Sequence, residues 1–282
     1  MMDIESILKD IEQLPPFPTV VTQAMALLDS PDTSAMDVVK VVQYDQAITA
    51  NVLKVCNSAY FGLPRKVGSL REAVIRLGNQ QLKEIILTGT VVKYYKNAMD
   101  GYALSKHDLW KHAISTAIIS RLVSKKFKGV DESSVFTAGL LHDVGKTILD
   151  GVVDEYFSQM FALVGEKGYS FTEAEQEVLG VDHAEVGARM GELWGFPKEI
   201  VRAIRYHHAP QEGADSDPTT QAVYLANILC LMMGIGVGRQ GLHVRGRDEV
   251  LKQHGMNNTD LQIIMAGFLD EYEKVQDIIM LG

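Results

Sequence analysis

The chain has 282 residues, of which 46% are apolar and 22% are charged, the balance of an ordinary globular protein. Its 27 basic and 36 acidic residues leave a formal net charge of −9, which argues against nucleic acid as the main partner because proteins that bind it carry basic surfaces. The most apolar stretch, 224–238, is too short to span a bilayer, and the acidic start has no apolar signal core. We therefore expect a cytoplasmic protein without membrane attachment, whose separated cysteines, Cys56 and Cys230, are reduced core thiols.

The first third of the chain is predicted to form short helices separated by proline and glycine. Apolar periodicity predicts helices over residues 3–12, 19–28, 37–43, 45–58, 69–77 and 80–92. Three prolines within 14–18 require an extended turn, and Ser34 with Asp37 has the spacing of a capping box. The break at Gly78 fits either a helix-turn-helix DNA reader or a plain helical hairpin. The hairpin is favoured, because Lys83 is the one cation on the second helix.

The remaining two thirds are also predicted to be helical. The polar stretch 97–101 suggests a boundary between domains at 1–98 and 99–282. Helices are expected over 108–127, 131–141, 147–167, 198–208 and 219–233, and from 171, 182 and 259 onward. Asp108, Asp182 and Thr259 are candidate caps, and Thr172 with Glu175 has capping-box spacing. No stretch has a strand pattern, so the fold class is all-α.

A glycine-rich stretch, 234–246, carries three arginines and is open to two interpretations. It fits either a phosphate-binding loop or a flexible surface loop. The surface loop is favoured, because the chain has no G-x-x-x-x-G-K-[ST] sequence.

The strongest chemical signal is the stretch AGLLHDVGK at 138–146, in which an apolar run is followed by His142 and Asp143. An imidazole nitrogen beside a carboxylate is a good ligand pair for zinc, iron or manganese. Such a pair also occurs by chance in ordinary helices. The indication of a metal site is stronger here because other histidines occupy predicted helices, namely His112, His183, His207 and His208.

Helical periodicity directs these histidines toward the protein interior. His183 shares a face with Val186, Met190 and Trp194, and His112 flanks an apolar stripe that includes Ala113. Any one of them alone is better explained as a hydrogen-bonded core histidine. Five histidines and an aspartate directed inward from four helices would be costly to bury without a shared partner, and a pair of metal ions supplies one.

These residues, with several amino-terminal segments, carry a family resemblance. His112, His142-Asp143, His183 and His207-His208 resemble the HD superfamily of metal-dependent phosphohydrolases. The segments 12–18 (EQLPPFP), 44–45 (YD), 53–62 (LKVCNSAYFG) and 73–78 (AVIRLG) resemble the HD-related output domain (HDOD) family. The resemblance implies an HD-like helical bundle with an amino-terminal helical subdomain, in a bacterial-type signalling protein.

The resemblance also implies one or two divalent transition metals: iron, manganese or zinc. One metal would be held by His112, His142, Asp143 and a carboxylate from a late helix, where this chain has Asn227. An amide oxygen brings no charge, so Asn227 is a possible weak ligand. A second metal would be held by residues that share Asp143 as a bridge: His183, His207 and His208. Lys146 fits two roles, a catalytic cation that neutralises a phosphoryl oxygen or a solvated surface lysine.

Three functions follow from the resemblance. The favoured one is a regulatory output module that binds other signalling proteins or a small phosphate-containing ligand. The alternatives are an active metal-dependent phosphohydrolase or phosphodiesterase, and a di-iron oxygenase. The related cyclic-dinucleotide phosphodiesterases carry Gly-Tyr-Pro after the paired histidines. This chain has Ala209-Pro210 there, so the resemblance does not support a cyclic dinucleotide substrate. The apolar turn at 60–64 is expected to pack on the metal domain or to dock a partner.

Overall fold

A computed structural model describes residues 17–30, 34–95, 97–211, 217–238 and 245–279. In these ranges the regular structure is helical, apart from an isolated bridge between Met99 and Leu104. The predicted all-α class is therefore confirmed. The helix expected at 3–12, and most of the proline turn, lie outside the described residues. No helix in the described ranges combines the length and apolar character needed to cross a membrane.

Contacts divide the described residues into two compact units. One is Tyr94–Phe268, and the other combines 17–93 with 269–279. These units are defined by packing, whereas a domain is defined by independent folding. The domain boundaries at 1–98 and 99–282 therefore stay a prediction.

The helices of the amino-terminal unit follow the predicted order. They are α1 Thr19–Asp29, α2 Ala35–Val42, α3 Gln46–Cys56, a 3-10 turn Ala59–Phe61, and α4 Leu70–Tyr95. Gly78 interrupts α4 with φ 75° and ψ 176°, so the predicted break is present although the helix resumes at once. Positive φ favours glycine at this position. Tyr60 and Phe61 are half-buried and contact each other edge to face at 4.9 Å, while docking of a partner at this turn stays a prediction.

The Tyr94–Phe268 unit is a helical bundle. Its helices are α5 Asp108–Ser124, α6 Glu132–Leu141, α7 Lys146–Lys167, α8 Phe171–Leu179, α9 His183–Leu193, α10 Lys198–Tyr206, α11 Pro218–Met232, α12 Arg247–Gln253 and the first part of α13 Asn258–Ile279. Helices α5, α6 and α11 pack against one another, and α10 contacts α6, α9 and α11. Most residues of α5 and α11 are buried, as expected for helices at the centre of a bundle.

Several helix starts differ from prediction by a few residues. Helix α8 is capped by Ser170 with Glu173, in place of Thr172 with Glu175, which leaves Glu175 for another role. His107, in a left-handed conformation, precedes α5, so the prediction that Asp108 caps it was wrong. Asn257 accepts hydrogen bonds from the backbone of Thr259 and Asp260, so Thr259 is not the cap of α13. Capping residues near each other in sequence compete, and the backbone path selects among them.

The short helix α12 was not predicted, because its seven residues carry too little periodicity to distinguish it from the preceding loop. Cys56 and Cys230 are buried thiols outside any disulfide, as expected.

Candidate metal centre

Four helices deliver the candidate ligands to one buried place in the Tyr94–Phe268 unit. Helix α5 carries His112, the end of α6 carries His142 and Asp143, α9 starts with His183, and α10 ends just before His207 and His208. The side chains are almost completely buried, and only His208 is half-buried. The structure thus brings together all six residues that the sequence singled out as ligands.

The six residues form two groups that share one carboxylate. His112, His142 and Asp143 make the first group, which we call cluster A. Cluster B joins Asp143 to the remaining histidines: His183, His207 and His208. Within each cluster, one ligand atom per residue lies within 4.8 Å of all the others. This spacing suits coordination of one metal ion by each cluster.

The two oxygens of Asp143 face different clusters. Oδ2 lies 3.4 Å from His142 Nε2 and 3.6 Å from His112 Nε2. Oδ1 lies 3.4 Å from His183 Nε2 and 3.6 Å from His207 Nε2. Oδ1 and His207 Nε2 are buried without a hydrogen-bond partner. Orphaned buried polar atoms are costly, and two of them turned toward each other indicate a missing shared partner.

Each of four histidines is held by an acceptor at Nδ1, which leaves its Nε2 directed at the cluster. His112, His142 and His207 contact the backbone oxygens of Ile235, Gly139 and Ile204 at 2.9, 2.7 and 2.6 Å. His183 instead contacts Glu175 Oε2 at 2.7 Å. An acceptor at one ring nitrogen fixes the tautomer and leaves the other nitrogen able to bind metal.

Glu175 is a candidate site residue that sequence reasoning missed. It is fully buried, its Oε1 accepts a hydrogen bond from the hydroxyl of Tyr102 at 2.6 Å, and its Oε2 accepts from the backbone N–H of His183 at 3.1 Å. A signal was available in the sequence, because Glu175 follows Phe171 by four residues and so shares its buried face. Assigning Glu175 to a capping box concealed it.

Asn227 and Lys146 stand beside cluster A. The side-chain oxygen of Asn227 lies 3.0 Å from His112 Nε2, and the residue is buried. Lys146 Nζ donates to Asp143 Oδ2 at 2.6 Å and lies 5.5 Å from the centre of the Tyr102 ring. Lys146 is fully buried, so its interpretation as a solvated surface lysine was wrong. Its helix starts inside the protein, and the cation pairs with the carboxylate there.

Burial and charge fix the protonation of the cluster. Burial lowers the pKa of His112 to about 3 and of His207 to about 4, and it lowers the pKa of His208 well below its usual value. Burial alone would raise the pKa of Asp143, but Lys146 and His142 hold it well below its ordinary range. Burial likewise opposes protonation of His183, but the charge of Glu175 raises its pKa to about 9.

The lowered pKa values of His112, His207 and His208 and the ionised Asp143 suit a divalent metal, while His183, with a pKa of about 9, releases a proton when a metal binds. Neutral imidazoles and an ionised carboxylate are the forms that coordinate zinc, iron or manganese. Together with the orphaned Oδ1 of Asp143 and Nε2 of His207, they make a donor set that suits a metal ion.

Comparisons with known proteins agree with the fold. The HDOD domain family model matches residues 14–210. The crystal structure of an HDOD domain protein of unknown function from Geobacter sulfurreducens superimposes with a TM-score of 0.78 at 26% identity, covering 98% of this chain and 95% of that one. A proposed phosphohydrolase from Shewanella amazonensis has a TM-score of 0.75 at 22% identity, covering 97% of both chains, and shows the fold alone.

Curated relatives are longer than this chain. A Treponema pallidum protein is 24% identical over 227 residues, which are 79% of this chain and 43% of that protein. Ribonuclease Y of Thermus thermophilus is 30% identical over 116 residues, which are 41% of this chain and 15% of the enzyme. The chain therefore spans less than half the length of these two relatives.

Proposed function

The chain belongs to the HDOD domain family, and we propose that it is a signal-transduction output module whose Tyr94–Phe268 unit binds iron, manganese or zinc at the histidine–aspartate centre. The observation that carries the metal proposal is the pair of orphaned ligand atoms, Asp143 Oδ1 and His207 Nε2, buried 3.6 Å apart. A shared cation would satisfy both atoms without moving either helix.

A regulatory role is supported by what surrounds the candidate ligands. Lys146 is bound to Asp143, so its charge is already neutralised inside the protein. Asn227 lies where the HD resemblance implies an acidic ligand, which leaves cluster A without one negative charge. In this proposal, metal and ligand binding stabilise one state of the module, and the state is recognised by another signalling protein.

The structure offers a place for a small phosphate-containing ligand next to cluster B. A cavity of about 610 Å³ is lined by His208 together with Arg189, Arg205 and Arg245. Each arginine pairs with a glutamate of the same wall, Glu173 or Glu185. A guanidinium has five N–H donors, so such a pair leaves donors for an anionic ligand.

The same features support a second candidate, an active metal-dependent phosphohydrolase. Metal ions in such a site lower the pKa of bound water and so supply a nucleophile near neutral pH. In this chain the carboxylate of Asp143 and the imidazoles would hold the metal, Glu175 would orient His183, and the arginines would bind the phosphate. Similarity to ribonuclease Y over 116 residues supports this candidate.

The test is the metal content of protein purified without oxygen or chelator, compared with the His142→Ala/Asp143→Ala variant. We expect near-stoichiometric metal in the native chain and its loss in the variant. His254→Ala is the matched control, because His254 lies outside both clusters and stacks on Phe127. Absence of metal from well-folded native protein would overturn the proposed metal centre.

Activity assays then separate the candidate functions. A regulatory module with bound metal should turn over neither a generic phosphodiester with added manganese nor dioxygen. Hydrolysis that disappears in the double variant would replace the regulatory proposal with the phosphohydrolase. Oxygen consumption by a redox-active iron pair would replace it with the di-iron oxygenase.

A further inference from the structure

We propose that the chain holds a single divalent metal ion, in cluster B, and that the ammonium of Lys146 serves as the cation on the side of cluster A. This inference rests on the proposed metal centre and specifies its occupancy. It differs from the one-metal arrangement implied by the resemblance, in which His112, His142 and Asp143 are the ligands.

The first argument is that the two side-chain oxygens of Asp143 have different surroundings. Its Oδ2, which faces cluster A, already accepts a charged hydrogen bond from Lys146 at 2.6 Å. Its Oδ1, which faces cluster B, is buried without a hydrogen-bond partner. A cation on the side of cluster A would have to approach an oxygen that Lys146 already neutralises, and the two positive charges would repel each other. A cation on the side of cluster B would meet an oxygen that lacks a hydrogen-bond partner and whose ion-pair neighbour at 3.4 Å, His183 Nε2, is itself a ligand atom of that cluster.

The second argument is the state of the imidazole nitrogens. In cluster A, His112 Nε2 is already in contact with the side-chain amide of Asn227 at 3.0 Å. In cluster B, His207 Nε2 is buried and unpaired, while its Nδ1 contacts the Ile204 carbonyl. Cluster B also has three histidines against two in cluster A. A metal in cluster A would replace the contacts of His112 Nε2 with Asn227 at 3.0 Å and with His142 Nε2 at 3.3 Å. A metal in cluster B would replace the 3.0 Å contact between His183 Nε2 and His208 Nε2 and would also satisfy the unpaired His207 Nε2.

The third argument is the negative charge that supports each cluster from outside. Glu175 Oε2 lies 2.7 Å from His183 Nδ1, so a carboxylate stands directly behind one ligand of cluster B. In cluster A the groups behind His112 and His142 are the neutral carbonyls of Ile235 and Gly139. A carboxylate behind a ligating imidazole increases its basicity and strengthens metal binding. Charge, ligand number and unpaired atoms therefore all favour the same cluster.

The test is to count metal ions per chain and to identify the cluster that holds them. The full chain is stripped of metal, titrated with Co²⁺ without oxygen, and followed through the ligand-field bands of the bound ion and by elemental analysis. We expect saturation at about one equivalent, the one ion that a single four-ligand cluster would hold. His183→Gln should lower Co²⁺ affinity at least tenfold, because it removes a ligand, whereas His112→Gln should change it less than threefold.

A gain of metal provides a second test that a misfolded variant could not pass. The double variant Asn227→Asp/Lys146→Met gives cluster A a fourth, charged ligand and removes the competing cation. It should bind two equivalents of Co²⁺, while His254→Ala should bind one with native affinity. The variant's far-ultraviolet circular dichroism should match that of the native chain.

The outcomes distinguish this inference from the proposed function. Two equivalents in the native chain, or affinity lost in His112→Gln and kept in His183→Gln, would overturn single occupancy of cluster B and leave the metal centre intact. A folded native chain that binds no Co²⁺, Mn²⁺, Zn²⁺ or Fe²⁺ would overturn both proposals. A double variant that is folded and still binds one equivalent would overturn the role given to Lys146 and Asn227.

Discussion

At the scale of single residues, the buried carboxylate of Glu175 connects several groups around His183. It accepts hydrogen bonds from the hydroxyl of Tyr102 and from the backbone of His183, and it faces the ring of His183 at 2.7 Å. Its charge raises the pKa of His183 although burial of the ring opposes this. Glu175 therefore sets both the orientation and the basicity of one candidate ligand.

Replacing Glu175 with glutamine tests this role because the shape is kept and the charge is lost. Metal affinity of Glu175→Gln should fall by about 10- to 100-fold, the usual cost of losing such a supporting group. Affinity is measured by competition with a chromophoric chelator. Glu177→Gln, an exposed position of the same helix, is the control and should bind metal normally. Normal affinity in Glu175→Gln would show that the carboxylate has only a structural role.

The buried histidines also make metal-free protein sensitive to acid. The pKa values of His112 and His207, about 3 and about 4 when folded, lie below the ordinary value of 6.5. Between the folded and ordinary values the unfolded chain binds more protons, so the free energy of unfolding falls as pH falls below 6.5. His183 has the opposite sign, because its raised pKa of about 9 causes stability to be lost as pH rises from 6.5 to 9.

The metal-free chain should therefore be most stable near pH about 6.5 and should lose stability toward about pH 5. Urea unfolding in the presence of chelator measures this profile. The His112→Asn variant should show a shallower decrease on the acid side, since one of the buried histidines with a lowered pKa is gone. If the free energy of unfolding of this variant falls equally steeply on the acid side, other groups cause the decrease.

At the scale of elements, the candidate centre depends on how closely α7 approaches α9. Gly145 precedes α7, and a Cβ atom at this position would collide with the backbone oxygen of His183 and lie 2.6 Å from the nitrogen of Gly187. Both neighbours are backbone atoms and cannot turn away. Glycine at 145 therefore sets the distance between the segment with Asp143 and the helix that begins with His183.

Gly145→Ala should move these two segments apart. We expect a loss of about 1–3 kcal/mol or more in the free energy of unfolding, as is typical of overpacking, with weaker metal binding as well. The control is Gly151→Ala in the exposed part of α7, where nothing lies within 4 Å of the new methyl group. That change should stabilise the chain by about 0.5–1 kcal/mol. Equal stability of the two variants would contradict the close approach.

The helices themselves were largely predictable from sequence, and their starts less so. Asp182 accepts a hydrogen bond from the backbone N–H of Glu185, as its predicted capping position indicated, and Asp45 does the same for Ile48 at the start of α3. The cap of α8 was placed two residues too late, because Ser170 and Thr172 offer the same hydroxyl chemistry. Periodicity reports which face of a helix is buried, whereas a cap depends on the path of the chain before the helix.

At the scale of the whole molecule, the sequence indicated which residues come together but not which hydrogen bonds and ion pairs form among them. Helical faces and the family resemblance were enough to bring six ligand candidates together. The division of Asp143 between Lys146 and cluster B depends on side-chain rotamers in a packed interior, and these have no signature along the chain. The burial of Lys146 was missed for the same reason, since a lysine at a helix start is usually solvated.

All the candidate ligands lie in the Tyr94–Phe268 unit, so metal should stabilise that unit selectively. A ligand that binds only the folded state at a hundredfold excess over its Kd adds about 2.7 kcal/mol. Hydrogen exchange followed by mass spectrometry should show slower exchange in α5, α6, α9 and α10 after metal is added. Helices α1 to α3 should exchange as before, and the His142→Ala/Asp143→Ala variant should not respond. Equal protection of both units would mean that they unfold as one cooperative body, and the metal would then act on the stability of the whole chain.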